Sequence, residues 1–514
     1  MNEHWLVPLS LPQPTLQDNT ADAERVENAV AAALGVDRAV VARDLLAALP
    51  LSLPRAGGEV VALVFPDRDR LEILDVLPAD EAARCTGLAV DLGTTRIVVR
   101  LVDLSTGAVL AETSLDNPQI AVGPDILVRI HHADSADGLA RMQRLVVDGL
   151  NDTADHLCLE TGRHPEDVRL VAVAGNTTMT HLLLGLPPRH IIREPYLPVV
   201  TRPGSWRGVD LGLDLHPRAR LYAFPNVGSY FGGDLIAGIL HAGLDAAEAP
   251  EILVDVGTNA EVVVGNRDWL IACAGAAGPA LEGGVTRMGM MAGPGAIDRV
   301  TAGEAGALEV HTLGGERPRG ICGSGLIDLA AVLFRTGRVD IRGKLVPAAC
   351  GDRLRKTDGM RELVVVPAAE AATGEDLTLK QADLDSLIRS KAAMYTILET
   401  ITSEVGLTVA DVARIRIAGT FGQFIDPESA ITIGMIPDLP RETYEAIGNS
   451  ALGGATDALQ RRDVLSRAET LRDRITYLEL NVNQAFMQRF SAAKFIPHTE
   501  PSRFPSVTIP PSPA

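Results

Sequence analysis

The first part of the chain mixes helical and strand-like patterns of apolar and polar residues. Helical spacing predicts helices over Ala21–Leu34 and Arg38–Leu49. Two runs rich in β-branched residues flank a polar turn and predict a hairpin, Glu59–Phe65 with Arg70–Leu77. We therefore expect a small α+β module over residues 13–85, preceded by an irregular arm at 1–12.

The next apolar runs predict three successive strands: Gly87–Val90, Arg96–Leu104 and Ala108–Ser114. The first two form a hairpin whose tip is Asp91-Leu92-Gly93-Thr94-Thr95. Gly93 would let the backbone approach a ligand, and the Thr94 and Thr95 hydroxyls with nearby N–H groups could surround phosphate oxygens. Asp91 could hold a hydrated Mg²⁺. Taken alone, the stretch favours an ordinary tight turn.

The same order of polar and apolar segments occurs again downstream. The strand Glu251–Val254 is followed by Asp255-Val256-Gly257-Thr258-Asn259, and two more strands come next, Ala260–Val264 and Trp269–Cys273. A repeat of this length indicates a duplicated domain with two related halves, each supplying a loop to one cleft.

Further turns between strands and helices have residues suited to a ligand. Gly175-Asn176-Thr177-Thr178 follows the strand Val168–Ala174, and it predicts either an anion site at a helix N-terminus or a plain N-cap. Gly419 and Gly422 follow the strand Arg414–Ala418, and Gly448 precedes another helix. Such turns let a purine and its ribose lie against backbone without a Cβ clash.

Three remaining stretches have unusual composition. Residues 191–217 are rich in Pro, Gly and Arg and indicate a lid or an interface. Residues 275–295 are dense in glycine, which suits backbone packed against a ligand or another chain, or a flexible loop. The Pro-rich end, 497–514, is expected to be a loosely held arm.

Composition narrows the classes of partner and compartment. The net charge of −19 argues against a nucleic-acid or acidic-membrane partner. The chain has no secretory signal pattern at its start and no run of about 18 apolar residues, so we expect a cytoplasmic protein. Five scattered cysteines form no C-x-x-C pair, which gives no zinc or iron–sulfur spacing, and Cys322 is interpreted as structural.

Two common nucleotide-binding folds are disfavoured. The Walker pattern G-x-x-x-x-G-K-[ST] is absent, and no G-x-G-x-x-G follows a first strand. Eight strings in chain order instead resemble the ATP-dependent reductive activators of corrinoid proteins, which belong to the ASKHA superfamily (acetate and sugar kinases, Hsp70, actin). These strings are Asp91–Thr95, Asn117–Gln119, Gly175–Met179, Asp255–Asn259, Ala276–Gly283, Ile321–Asp328, Ala418–Gly422 and Gly448–Leu452.

The resemblance implies an α/β fold, a duplicated actin-like ATPase with ribonuclease H-like halves and a small N-terminal α+β module. The implied division is an arm at 1–12, a middle-type domain at 13–85, an ATPase domain at 86–480 with halves 86–250 and 251–480, and a tail at 481–514.

The resemblance also implies the function. ATP hydrolysis would support reduction of an inactive Co(II) corrinoid to Co(I) on a partner methyltransferase protein. ATP and Mg²⁺ are the implied cofactors, and the metal would face Asp91 and Asp255. The remaining implied site residues are Gly93, Thr94, Thr95, Gly257, Thr258 and Asn259 for phosphates, Gly419, Gly422 and Gly448 for adenosine, and Asp234 or Glu261 for the attacking water.

Two departures from the family pattern matter. Members commonly carry an iron–sulfur ferredoxin domain, whereas this sequence has no cysteine cluster, so we expect no iron–sulfur cluster here and a separate electron donor. The Gly-rich loop from Cys273 lacks an expected Ser or Thr, which puts direct ligation of cobalt from it in doubt. A small-molecule kinase or a nucleotide switch of the same superfamily is the alternative, and a homodimer is left open.

Overall fold

The computed structural model describes residues 3–55, 58–67, 70–229, 231–257, 260–275, 286–357, 359–419, 425–480 and 484–511. The chain divides into two compact units. The first comprises Met1–His241 and Ser450–Arg474, and the second comprises Ala242–Asn449 and Ile475–Ala514. The predicted ATPase halves, 86–250 and 251–480, differ from this grouping at 242–250 and at 450–474, and the domain division stays a prediction.

The N-terminal module contains the predicted first helix and hairpin. The helix spans Asp22–Leu34 and ends at Gly35, whose φ of 64° is left-handed. Its four-stranded sheet has the order Leu6–Ser10, Glu59–Asp67, Arg70–Leu77 and Ala39–Val41.

Two expectations for this module are wrong. The supposed irregular arm contains the strand Leu6–Ser10, which pairs antiparallel with the hairpin. The supposed helix from Arg38 begins instead with the strand Ala39–Val41, which pairs parallel with Leu71–Ile73, and the next helix is Leu49–Arg55. Pairing with an open sheet edge overrides the weak helical propensity of such a short apolar run.

The larger sheet of the first unit has six strands. Their order is Val109–Asp116, Arg96–Asp103, Thr86–Leu92, Val168–Gly175, Arg220–Ala223 and Gly204–Arg207. The long amphipathic helix Ala136–Thr161 covers one face, where it packs against alternate residues of the central strands, such as Val90 and Leu92. The helix Ser450–Gln460 covers the other face, where Leu459 lies against Gly87.

Shorter helices complete the first unit. They are Ala79–Ala82, Ile126–His132, Thr177–Leu183, Gly208–Leu211, Gly233–Ala242 and Asp463–Arg474, together with the 3₁₀ turns Pro118–Ala121, Pro165–Asp167 and Arg189–Ile192.

The second unit repeats the strand order of the first. Its five corresponding strands, read from the edge of the hairpin, are Leu270–Gly275, Ala260–Gly265, Glu251–Val256, Arg414–Ala418 and Tyr444–Gly448. In both units three consecutive antiparallel strands are followed in the chain by two strands that run parallel to the first of the three. The duplication predicted from the repeated D-x-G-T strings is therefore confirmed at the level of topology. A sixth strand, Ile475–Tyr477, pairs with the edge strand Leu270–Gly275.

The predicted helix near Gln381 spans Gln381–Glu404 and packs on the core of this sheet. Between the strands Leu270–Gly275 and Arg414–Ala418, the described residues add two small sheets and three helices. The strands are Ala296–Ala302, Leu308–Thr312, Gly320–Ile321, Leu354–Thr357, Met360–Val366 and Leu377–Lys380. The remaining helices of the unit are Gly323–Arg335, Pro347–Cys350, Pro427–Thr432 and Gln484–Ala493, with 3₁₀ turns Leu244–Ala246, Glu304–Gly306, Leu313–Gly315, Gly351–Arg353, Val409–Asp411, Arg441–Thr443 and Pro501–Arg503.

The C-terminal segment is packed rather than loosely held, so that expectation is wrong for the described residues. Phe504 is fully buried. The buried Lys391 ammonium group donates to the carbonyl oxygens of Phe495 and Pro497, at 2.5 and 2.7 Å. The proline-rich composition did not indicate this packing, because the contacts are made by backbone carbonyl groups and by a few isolated aromatic rings.

Candidate functional site

In the first unit, the predicted hairpin tip follows the strand Thr86–Leu92. Val90 and Leu92 point into the core, so the half-buried Asp91 lies on the opposite face of the sheet. A Cβ added to Gly93 would lie 2.3 Å from the carbonyl oxygen of Arg96. Only glycine fits this turn, which brings the backbone of the loop close to the next strand.

Two asparagine side chains hold this loop from either side. Asn117 Nδ2 donates to the carbonyl oxygen of Gly93 at 2.8 Å, and the backbone N–H of Asn117 donates to that of Thr95 at 2.8 Å. Asn176 Nδ2 donates to Thr94 Oγ1 at 3.1 Å. The loop conformation is therefore fixed by side chains that come from two other segments.

Asn176 also caps a helix. Its Oδ1 accepts from the backbone N–H of Met179 at 2.9 Å, at the start of the helix Thr177–Leu183. The N-cap interpretation of the Gly-Asn-Thr-Thr turn is thus confirmed, while a role for its N–H groups in anion binding stays a prediction.

Asp234 lies beside the same turn. A Cβ added to Gly232 would lie 2.3 Å from Asn176 Cα and 2.7 Å from Asp234 Oδ1, so these segments are in close contact. Asp234 is in the first turn of the helix Gly233–Ala242, and its Oδ1 accepts from the N–H of Leu235 at 2.8 Å. The first unit therefore brings Asp234, Asn176 and the Asp91 loop to the carboxyl end of one sheet, the usual place for a ligand in such sheets.

In the second unit, Asp255 lies directly opposite Glu261 across the antiparallel hairpin. Side chains at such positions share a face, with Cβ atoms roughly 4.5–5.5 Å apart. In the first unit the residue opposite Asp91 is Val98. The two halves thus differ at this position, and the second half carries an additional carboxylate.

Two of the predicted glycines lie next to Asp255 along the sheet. Ala418 is in register with Asp255 on one side and with Gly448 on the other. Gly419 has a φ of 87°, and a Cβ there would lie 2.7 Å from the carbonyl oxygen of Val256 and 3.4 Å from Asp255 Oδ1. Gly448 has a φ of 66° with open space where a Cβ would be. Asp255, Gly419 and Gly448 therefore form the counterpart, in the second unit, of the strand-end cluster around Asp91.

Several predicted residues cannot be placed. Thr258, Asn259 and Gly422 lie outside the described residues, as do 276–285 of the glycine-rich stretch. Gly257 is described and follows the strand that ends at Val256.

Asp91 in the first unit and Asp255 in the second are each of a residue type that suits Mg²⁺, and a role for either in binding the metal stays a prediction. Asp91 and Asp255 offer carboxylate oxygens at strand ends, and Mg²⁺ usually binds one or two carboxylates together with substrate phosphates and water. Among the described residues, no group of three or more His, Cys, Asp or Glu side chains is arranged to hold a metal ion. A closed, all-protein metal cage is therefore not what these described residues build.

The five cysteines are buried and unpaired. Burial raises the pKa of Cys85 and of Cys158 to about 11. Cys322 precedes the helix Gly323–Arg335, and its thiol contacts the carbonyl oxygen of Ile297 at 3.3 Å. These positions agree with the structural interpretation of the thiols.

No sequence pattern assigned a role to Asn117, which holds the Asp91 loop, or to Arg129, which holds the segment after Asn117. Asn117 was visible only as part of a family-like string. Arg129 is fully buried, and its Nε donates to the carbonyl oxygen of Gly123 at 2.9 Å, while its Nη1 lies 3.4 Å from Gln119 Oε1. Burial lowers the pKa of this guanidinium group. No sequence pattern distinguishes such a buried arginine from one on an exposed helix face.

The structure offers one observation on membranes: across the described part of the chain, no helix combines the length and apolar character needed to cross a bilayer.

Family models match nearly the whole chain. The model described as the C-terminal domain of RACo, the ASKHA domain, matches residues 249–508. The RACo middle region matches 86–247, and the RACo linker region matches 3–83.

Two curated proteins and one solved structure are similar to this chain. The corrinoid activation enzyme RamQ of Eubacterium limosum is 31% identical over 427 residues, covering 81% of this chain and 72% of the relative. A [Co(II) methylated amine-specific corrinoid protein] reductase of Methanosarcina barkeri is 22% identical over 427 residues, covering 76% and 73%. The structure of a reductive activator for a corrinoid, iron–sulfur protein superposes with a TM-score of 0.86 at 38% identity, covering 98% of this chain and 80% of that one.

Proposed function

Because this chain belongs to the RACo family of corrinoid-protein activators and has their ASKHA fold, we propose that it uses ATP to support the reduction of inactive Co(II) corrinoid on a partner methyltransferase protein to Co(I). The observation that carries the proposal is the match over 98% of the chain to a reductive activator. The match to a Co(II) corrinoid protein reductase points the same way.

ATP cannot itself supply the electron in this proposal. Hydrolysis gives ADP and phosphate and leaves the oxidation state of every atom unchanged, whereas Co(II) gains one electron on becoming Co(I). A separate reductase, acting as the low-potential donor, would deliver that electron. The free energy of ATP binding and hydrolysis would drive the change of cobalt environment that makes an unfavourable transfer possible.

The nucleotide would be held by the strand-end clusters described above. Asp91 and Asp255 would face Mg²⁺, and the hydroxyl and N–H groups of their loops would bind phosphates: Gly93, Thr94, Thr95, Gly257, Thr258 and Asn259. Glycines of the second unit would border adenosine: Gly419, Gly422 and Gly448. The tight glycine turns at 93 and 419 and the asparagine contacts to the first loop support this assignment.

Two carboxylates are candidates for orienting the attacking water. Glu261 is supported by its position opposite Asp255, where a like charge on the same face favours a bound cation or proton. Asp234 is supported by its place beside Asn176, at the start of a helix. Glu261 has the stronger support, because the corresponding position in the first half holds Val98.

The finer division and setting of the protein are part of the same proposal. We place a middle-type domain at 13–85 and an actin-like ATPase at 86–480, flanked by segments 1–12 and 481–514. A cytoplasmic location, a corrinoid protein as partner and a homodimer complete it, with no iron–sulfur cluster in this chain.

The decisive experiment combines the purified protein, Mg-ATP, a low-potential reductant and candidate Co(II) corrinoid proteins, and follows the absorbance of Co(I). We expect Co(I) with at least one partner only when ATP is hydrolysed, and a non-hydrolysable analogue serves as the control. If no partner gives ATP-dependent Co(I), while the protein phosphorylates a small acceptor, it is a kinase. Slow ATP hydrolysis without either product would identify a nucleotide switch.

A further inference from the structure

One surface segment of the first unit has a fixed backbone and outward apolar side chains. Tyr196, Leu197 and Val199 are 40%, 63% and 57% exposed. Tyr196 has a φ of 60°, a conformation that residues other than glycine seldom adopt. The Ser229 hydroxyl donates to the carbonyl oxygen of Tyr196 at 2.6 Å. The segment is therefore held through its main chain and not through burial of its side chains.

A single buried histidine anchors the far end of this segment. His181 is fully buried, and its Nε2 lies 3.1 Å from the backbone nitrogen of Val199 and 3.4 Å from that of Val200. Both of those groups are donors, so Nε2 must be an acceptor without a proton. Nδ1 then carries the proton and donates to the carbonyl oxygen of Thr177 at 2.7 Å. Only the neutral Nδ1–H tautomer satisfies all three contacts, and burial lowers the pKa of the ring in the same sense.

The same short helix reaches the proposed phosphate loop. Thr177 is its first residue and Asn176 is its cap, and Asn176 donates to Thr94 Oγ1. The Thr177 hydroxyl donates to the carbonyl oxygen of Gly228 at 2.7 Å, next to the Ser229 that holds Tyr196. Val199 and Val200 are therefore linked to Thr94 by hydrogen bonds at His181 and Asn176, together with the peptide bond that joins Thr177 to Asn176.

We propose that His181 is a positioning residue of the nucleotide site, through which the surface segment Tyr196–Val200 and the loop Asp91–Thr95 respond to each other. The inference rests on the proposed function only in taking that loop to bind ATP phosphates. A shift of the segment removes the acceptor contacts at Nε2, and the Thr177 end of the helix then loses its support. In the other direction, phosphate bound at Thr94 displaces Asn176 and, with it, the first turn of the helix. Such coupling is typically worth 5- to 150-fold in affinity.

Two substitutions of His181 test the contacts of its two ring nitrogens separately. The amide of Gln reaches the position of Nε2 and can accept from Val199 and Val200, whereas the amide of Asn reaches only the position of Nδ1 and can donate to Thr177. His181→Gln should therefore keep the coupling, because the backbone of the helix Thr177–Leu183 still joins residue 181 to Thr177. His181→Asn loses the contact with the segment and should lose the coupling, although both variants replace a buried ring by an amide.

The test uses a tryptophan at an exposed position of the segment. In the full-length protein carrying Leu197→Trp, we expect the added emission to shift on addition of Mg-ATP, judged against the protein without this substitution. His181→Gln should preserve the shift. His181→Asn should abolish it and raise the KM for ATP about 10-fold, with kcat changed less than about threefold. A melting curve for each variant confirms folding, and Ser229→Ala is a second variant outside the core that should weaken the shift.

The outcomes separate this inference from the proposed function. If labelled ATP binds but the tryptophan does not respond, or responds equally in the Asn and Gln variants, the coupling through His181 is wrong. If ATP does not bind to the native protein at all, the proposed function itself fails. Val199→Trp places a second reporter in the segment, in case the emission of the tryptophan at position 197 does not change. If neither tryptophan responds while ATP is bound, the inference is overturned.

Discussion

At the scale of single residues, the clearest asymmetry between the two halves is the residue opposite the repeated aspartate. Asp255 faces Glu261, whereas Asp91 faces Val98. Two carboxylates on one face repel unless a cation or a proton lies between them. The two halves therefore share a topology, but at this cross-strand position one has a carboxylate and the other an apolar side chain.

The metal assignment predicts that Asp91→Ala and Asp255→Ala each lower the rate of Mg-ATP hydrolysis at least about 100-fold, since charge stabilisation at a phosphoryl centre contributes on this order. Both aspartates are half-buried at strand ends, so the far-UV circular dichroism should be unchanged. Phosphate release measures the rate, and Asp268→Asn, on the exposed turn of the second hairpin, is the control. Near-native turnover in both alanine variants would remove the assignment.

The assignment of Glu261 predicts a different signature. A residue that orients the attacking water contributes typically 10²–10⁴-fold to the chemical step. Glu261→Gln should lower kcat in that range while the KM for ATP changes less than about threefold. Steady-state kinetics provide the measurement, with Asp234→Asn in parallel. If the Asn variant shows the large loss and the Gln variant does not, Asp234 takes the role.

At the scale of elements, the sequence predicted the repeated hairpins because strand patterns and turn residues agree there. The strand Arg414–Ala418 was predicted to the residue. The run from Arg38 was not, because its pairing partner is the distant strand Arg70–Leu77. The same limit applies to the site: D-x-G-T was visible, but the contact between Asn176 and Thr94 joins residues far apart in the chain.

Two glycines of the second unit allow a matched test at this scale. Both have left-handed φ values, which cost a residue with a Cβ roughly 1–2 kcal/mol. Gly448→Ala adds only that strain, since nothing lies within 4 Å, and should lower the free energy of unfolding by about 1 kcal/mol. Gly419→Ala also meets the carbonyl oxygen of Val256 at 2.7 Å, so the loss should be larger. Urea denaturation compares them, and equal losses would contradict the close approach of Gly419.

At the scale of the whole molecule, a buried histidine in the C-terminal segment predicts that the stability of the protein depends on pH. His498 is 5% exposed and lies against the rings of Tyr395 and Phe504. Burial, helped by the charge of Arg503, lowers the pKa of His498 to about 4. Between about pH 4 and pH 6.5 the ring is therefore neutral in the folded protein, whereas the same ring in an unfolded chain binds a proton.

The sign of the effect follows from that difference. Below the unfolded pKa of about 6.5 the unfolded state gains a proton that the folded state refuses, so stability falls as the pH drops towards about 4 and then levels off. We expect the melting temperature to decrease between pH 7 and pH 5, and His498→Asn, which can still accept from the N–H of Glu500, to flatten the slope. His156→Gln, on an exposed helix face, is the control. An unchanged slope in the Asn variant would show that other groups set the acid response.

The chain order of the first unit has a consequence for its biosynthesis. One face of its sheet is covered by the helix Ser450–Gln460, which is far along the chain. Trp5 and Arg100 donate hydrogen bonds to Ala458 and Thr456 of this helix, and Gln460 donates to the carbonyl oxygen of Gly107. A ribosome adding about 5–20 residues per second needs roughly 12–47 s to go from His241, the end of the first segment, to Arg474. During that interval most of the second unit is synthesised, and the face of the sheet around Gly87 does not yet have the helix Ser450–Gln460 packed on it. Ribosome-bound chains stalled before residue 450 should accordingly bind a chaperone and be cut by protease within the first unit, and chains stalled well after 474 should not. Equal protection at both lengths would show that the first unit folds without its last helices.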